Sequence, residues 1–382
     1  MSLPTPDPVA AEHSQRLREH IARSIEGAGG WISFARYMEL ALYAPGLGYY
    51  SGGAHKFGAA GDFITAPELS PLYAQALAAQ VAQIMAASAP NVIEAGAGSG
   101  ALAAGLLLEL ARRGIPPERY SIIELSGELR QRQRETLAVR APQLADRVAW
   151  LDTLPESFSG AVIGNELLDA LPVHLVAWRE EGVFERGVAL DGASNLVWLE
   201  RPATGTLLAA AQALPVEAPY VSEINLAARA WVAAWGGILA QGALLLIDYG
   251  FPQREYYHPQ RAEGTLMCHY RHHAHGDPFW LPGLNDITAH VDFTSIIESG
   301  HGAGLDLLGY TSQAQFLLNC GITGLLGQCP ADEPGRYLPL AAGVQKLISP
   351  AEMGELFKVM ALGRGIVEPP IGFLRGDRSA AL

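Results

Sequence analysis

Residues Val92–Ala101 read V-I-E-A-G-A-G-S-G-A: a short apolar run opens into three alternating glycines, and a helical apolar pattern follows at once. A strand that ends this way constrains the fold more than any other feature of the chain. Glycine permits the sharp turn, and the helix start behind it presents unpaired N–H groups. The β/α alternation then continues. Strands are expected at Asn91–Ala95, Tyr120–Leu125, Val148–Leu151, Gly160–Gly164 and Leu244–Ile247, with helices at Leu102–Arg113, Glu128–Val139 and near Asn225–Ala240. Such alternation predicts a doubly wound α/β sheet, mostly parallel and covered on both faces.

Ahead of this core, helical patterns run from Val9 to Glu26, from the N-cap Ser33 to Tyr43, and onward from Pro71, with a Gly-rich stretch over 51–70. They read as an N-terminal helical cap over 1–88 that carries a lid loop. The core is expected over 89–365, with insertions at about 173–222, read as added hairpin strands, and 251–292, and a tail over 366–382.

Hydrophobic residues make up 49% of the 382 positions, enough for a sizeable core, yet no apolar run approaches the roughly 20 residues of a membrane span. The formal net charge of −13 has the wrong sign for a partner rich in phosphate and suits a cationic protein partner. Three scattered cysteines (Cys268, Cys320, Cys329) give no disulfide framework. A soluble protein of the bacterial cytoplasm is expected, acting on neither membrane nor nucleic acid, with oligomerisation left open.

Gly96, Gly98 and Gly100 suit either a dinucleotide or S-adenosylmethionine. Glu94, two residues before the first glycine, separates the two: a carboxylate there repels a pyrophosphate but suits the ammonium of a methionine moiety. Glu124, at the end of the second strand, can accept from ribose hydroxyls in either case. Asp152, after the third strand, is an adenine contact or a solvated loop acid. A nicotinamide-dependent oxidoreductase is therefore the rival to a methyl donor.

Residues 164–172 read G-N-E-L-L-D-A-L-P and place Asn165, Glu166 and Asp169 at the carboxyl edge of the sheet, where ligands gather in such folds. Carboxylates paired with a guanidinium hold it planar and aim one nitrogen, so Glu166 and Asp169 are catalytic candidates; Asp169 could equally cap a helix. Residues 61–70, G-D-F-I-T-A-P-E-L-S, read as a lid over the methionine end of the cofactor, with Asp62 and Glu68 as further catalytic candidates and Thr65 and Pro67 as cofactor contacts; Ser70 or Glu68 could instead only cap the next helix. Cys268, His269, His272, His273 and His275 invite a metal reading, but no second ligand cluster accompanies them and none is assigned.

Taken together, F-A-R-Y-M-E-L-A-L-Y with G-Y-Y, G-D-F-I-T-A-P-E-L-S, E-A-G-A-G-S-G, G-N-E-L-L-D-A-L-P-V, L-I-D-Y-G at 246–250 and D-I-T-A-H-V-D-F at 286–293 resemble the MidA-like methyltransferases, over roughly residues 12–362. That family includes a mitochondrial complex I assembly factor. The resemblance implies a class I methyltransferase fold, Rossmann-like, with seven strands and the last antiparallel. It implies S-adenosyl-L-methionine as cofactor and, from the eukaryotic relative, methylation of arginine on a partner protein such as a respiratory complex I subunit. It also points to Asp286 and His290 as substrate residues, or as a hydrogen-bonded structural pair, with Tyr249 as a further substrate candidate. One departure stands out: Met267 occupies the place after G-T-L where arginine is expected. A catalytically silent, cofactor-binding assembly factor remains the alternative within the same fold.

Overall fold

The computed structural model describes residues 3–52, 65–330 and 332–382, and the chain divides into two compact units. The larger comprises Ile64–Leu168, Trp231–Pro252 and Asp292–Leu382. Its strands are β1 (Asn91–Ala95), β2 (Arg119–Ile123), β3 (Val148–Leu151), β4 (Phe158–Asn165), β5 (Leu239–Phe251), β6 (Asp306–Ser312) and β7 (Phe357–Arg364). They lie in the order β6-β7-β5-β4-β1-β2-β3. The pairs from β5 through β3 are parallel, and β7 runs antiparallel to both neighbours. Along this path the seven strands, with the last antiparallel, match the arrangement that the family resemblance implies.

The central strands are apolar on both faces because helices cover both. Val92 and Ile93, Ala161 to Ile163, and Ala243 to Ile247 are all buried, the near-continuous runs that a two-sided parallel sheet demands. Helix α1 (Pro71–Ala87) starts where Ser70 accepts from Leu72 N, with proline in its first turn; α2 (Ala101–Arg112) follows the glycine turn; α3 (Gly127–Arg140) is capped by Ser126. α3 is charged outside and buries only Leu129, Gln133 and Leu137, four residues apart on one face.

Two boundaries differ from the sequence reading. The cap was expected to run to residue 88, but α1 belongs to the core unit. It is buried around most of its circumference, and its Ala74 lies so close to α2 that a Cβ built on Gly105 would stand 2.5 Å from the Ala74 Cβ. Residues 366–382, expected as a tail, include the short helix Ile371–Phe373, whose Phe373 ring packs 5.5 Å from that of Phe316. This ring contact and hydrogen bonds such as those of Ile371 N and Gly372 N to Gln83 Oε1 and Gln80 Oε1 tie the segment to the core.

The second unit comprises Met1–Phe63, Asp169–Ala230 and Gln253–Val291. The helices Pro8–Gly27 and Phe34–Tyr43 bury Leu17, Ile21, Ile25, Phe34, Tyr37 and Met38 in its core. The inserted strands His174–Arg179, Gly182–Leu190, Leu196–Pro202 and Tyr220–Ile224 form a sheet joined by Ile32–Ser33 from the N-terminal segment. The expected hairpin region is thus a five-stranded sheet. The His-rich stretch is a hairpin of Met267–Tyr270 and His273–His275, which also pairs with Asp286–Thr288. No group of three metal-ligating side chains occurs among the described residues.

Candidate active site

The glycine turn leaves β1 at the carboxyl edge of the sheet. Gly96, Gly98 and Gly100 have φ of 69°, 51° and 80°, the left-handed region where an L side chain is strained. Gly96 N donates to Ile123 O of β2 and Gly100 N to Ala97 O. Among the described residues no group accepts from the N–H of Ala97, Gly98 or Ser99, so the turn presents three backbone donors.

Glu94 is 2% exposed near the end of β1, and its Oε2 accepts from the Tyr120 hydroxyl of β2 at 2.5 Å. Burial pushes its carboxyl up to about 7; the Tyr120 bond pulls the other way and the nearby Glu124 charge adds to the rise. Glu124, just past β2, is also buried, and burial outweighs its hydrogen bonds to leave its pKa raised. Its Oε1 accepts from Ser126 N at 3.0 Å and its Oε2 from Gln133 Nε2 at 3.1 Å. Each oxygen keeps a lone pair for a hydroxyl donor. Asp152 is a solvated acid: its side chain is 86% exposed and held by Arg130 at 2.7 Å.

β4 delivers Asn165 and Glu166 to the same edge. Tyr73 of α1 donates to Asn165 Oδ1 at 2.5 Å, and Asn165 Nδ2 donates to Glu166 Oε1 at 3.2 Å. Glu166 adopts φ 52°, a strained backbone for a glutamate. It is held there because its N–H donates to Ile247 O at 2.8 Å, while buried Asp248 accepts from Leu167 N and Leu168 N at 3.1 and 2.8 Å. The turn after Glu166 lies against the glycine turn: a Cβ on Gly96 would stand 3.1 Å from Leu167 Cδ1. The Tyr73 hydroxyl stays protonated, raised by burial and by the charges of Glu166, Glu94 and Asp248, which places those three acids around it.

Of the lid candidates, Thr65 precedes the short helix Ala66–Leu69, Pro67 lies in its first turn, and Glu68 has a buried Oε2 without a partner among the described residues. Asp62 lies outside the described residues. Tyr249 lies in β5 with its ring 4.5 Å from Phe357, packed on the core. Asp169, Asp286 and His290 belong to the second unit. Asp286 Oδ1 accepts from the Tyr50 hydroxyl at 2.9 Å, and that hydroxyl is raised by burial and then by the charges of Asp286, Tyr43 and Asp169. The two acids, 117 positions apart in the sequence, are thus brought to one tyrosine. The Asp169 carbonyl accepts from Ala289 N, and His290 N donates to Thr265 Oγ1.

Sequence reasoning missed Tyr73, Tyr120, Gln133 and Asp248. Gln133 and Tyr120 carried a faint signal, as polar groups at apolar positions of their elements. An open cavity of about 450 Å³ lies at the opposite edge, beside Asn91, Arg119 and Phe158 at the starts of β1, β2 and β4.

The donor set fits an adenosyl cofactor. Free N–H groups line the turn, a buried diol acceptor stands at Glu124, and Glu94 and the unpartnered Glu68 oxygen are carboxylates suited to a cation. Comparison with known proteins agrees. Residues 74–311 match a family model described as "Putative S-adenosyl-L-methionine-dependent methyltransferase". The chain is 30% identical to a zebrafish (Danio rerio) protein named protein arginine methyltransferase NDUFAF7, mitochondrial, over 91% of this chain and 87% of that one. It is 57% identical, with a TM-score of 0.96 and full coverage of both chains, to a crystal structure from Burkholderia thailandensis described as a "likely methyl transferase" bound to S-adenosyl-homocysteine. A second crystal structure from that organism is 56% identical, with a TM-score of 0.94 and the same coverage.

Proposed function

The chain belongs to a family of S-adenosyl-L-methionine-dependent methyltransferases, and from that premise we propose that it transfers the methyl group to an arginine of a partner protein. The observation that carries the reading is Glu166: an acid held in a strained conformation, by Ile247 and Asp248, at a turn that lies against the glycine turn. When bound, S-adenosylmethionine supplies an electrophilic methyl on a sulfonium. Glu94 and Glu68 hold the ammonium end, Glu124 holds the ribose, and the N–H groups of the glycine turn face the ligand. Transfer is an in-line displacement, so the chain's task is orientation.

Glu166 is assigned to the guanidinium. A carboxylate bound to two of its N–H groups keeps it planar, draws charge away from the third nitrogen and aims that lone pair. Asp169 and Asp286, gathered at Tyr50, form a second pair suited to a cationic segment of the substrate protein, as does the acidic net charge. The names of the NDUFAF7 relatives support arginine as the acceptor, and the family resemblance makes a respiratory complex I subunit the first candidate substrate.

The test is to incubate the protein with tritiated S-adenosylmethionine and a cell extract, then hydrolyse the labelled proteins to amino acids. Label in methylarginine, lost in Glu166→Gln, is expected. Label only in another amino acid would overturn the arginine assignment, and no labelled protein would count against methyl transfer to protein.

A further inference from the structure

Gln133 is fully buried, on the apolar face of α3. A buried amide needs partners for two N–H groups and one carbonyl, and Gln133 finds all three. Its Nε2 donates to Gly98 O at 3.1 Å and to Glu124 Oε2 at 3.1 Å, while its Oε1 accepts from the Trp150 indole N–H at 2.8 Å. The partners come from the glycine turn after β1, the end of β2, and β3.

The amide can face only one way. An indole N–H donates and cannot accept, so Oε1 must meet Trp150, and both N–H groups are left for the Gly98 carbonyl and the carboxylate. Ser126 N fixes the other Glu124 oxygen, so the carboxylate is held at both ends. α3 also backs the turn itself: a Cβ on Gly100 would stand 3.1 Å from Gln133 Cα.

We propose that Gln133 is a positioning residue for the cofactor's ribose: it aims the Glu124 carboxylate at the two ribose hydroxyls and ties that acid to the glycine turn, so both are set before the ligand arrives. This rests on the reading of the chain as an S-adenosylmethionine-dependent enzyme. The physical advantage is preorganisation. A buried carboxylate free to rotate would have to be ordered at the moment of binding, and binding would be weaker by that cost.

The test is calorimetric, on the full chain, with two probes: S-adenosylhomocysteine and its 2′,3′-dideoxy analogue. Gln133→Met keeps the shape and removes both donors. It should weaken S-adenosylhomocysteine about tenfold, the scale of one hydrogen bond to a charged group, and the dideoxy analogue by less than about twofold. Trp150→Phe leaves Gln133 in place but frees its carbonyl; it should give a smaller loss with the same dependence on the ribose hydroxyls, and so carries the test should Gln133→Met fail to fold. Equal losses for both probes would mark Gln133 as merely structural and overturn the proposal, as would an unchanged affinity for S-adenosylhomocysteine. Failure of the unmodified protein to bind S-adenosylhomocysteine would be a different result: it would overturn the cofactor reading itself.

Discussion

The carboxyl of Glu94 gives the proposed cofactor site a pH dependence whose size follows from the structure. It is buried, shares a short bond with Tyr120, and is raised from the ordinary 4.5 to about 7. The titratable groups that face it are Tyr120 of β2, Glu124 just past that strand, and Tyr73 of α1. The cofactor's ammonium pairs only with the ionised form. For a group of this pKa, affinity for S-adenosylhomocysteine should fall about tenfold between pH 8 and pH 6, because the ionised fraction falls by that factor. Without ligand the sign reverses. The folded chain holds this proton more tightly than the unfolded chain does. The group's contribution to stability is therefore complete below about pH 4.5 and is lost as pH rises through about 7, at most about 3 kcal/mol. Tyr120→Phe removes the bond that favours the carboxylate, so the binding midpoint should move to higher pH. Glu94→Gln should remove the dependence. The assay is isothermal titration over this range in two buffers of different ionisation enthalpy, which counts the proton released on binding. An affinity flat between pH 6 and 8 in a folded protein, with no proton released, would refute the reasoning.

Other outcomes follow from the same geometry. Glu166→Gly should abolish methyl transfer yet raise stability by about 1 kcal/mol in denaturant titration, since glycine accepts φ 52° without strain. Tyr73→Phe should free the Asn165 amide to rotate away from Glu166, lowering the single-turnover rate about tenfold while S-adenosylhomocysteine affinity stays within about twofold; equal losses in both would show a general disturbance of the core instead. Gly105→Ala should destabilise by about 1–3 kcal/mol despite alanine's better helix propensity, because its Cβ has no room against Ala74; a rise in melting temperature would contradict the packing described.

The sequence by itself determined the core sheet and the place of its ligand edge. β1 and β3 lie where alternation and apolar runs put them, and α2 starts and ends within one residue of its expected limits, because these signals are local: period, caps and glycine turns act within a few residues. It also nominated Glu94, Glu124 and Glu166, since an acid in or beside an apolar strand end is conspicuous. Only the tertiary structure decided what holds those acids. Tyr120 meets Glu94 through parallel register, Gln133 reaches Glu124 from a helix face, Asp248 pins the Glu166 turn from β5, and Asp169 and Asp286 meet at Tyr50. Such pairings depend on which strands become neighbours and which helix covers them. Pattern along a chain carries residue spacing, whereas a buried hydrogen bond between distant residues is fixed only when the whole core closes and each polar group must find a partner there.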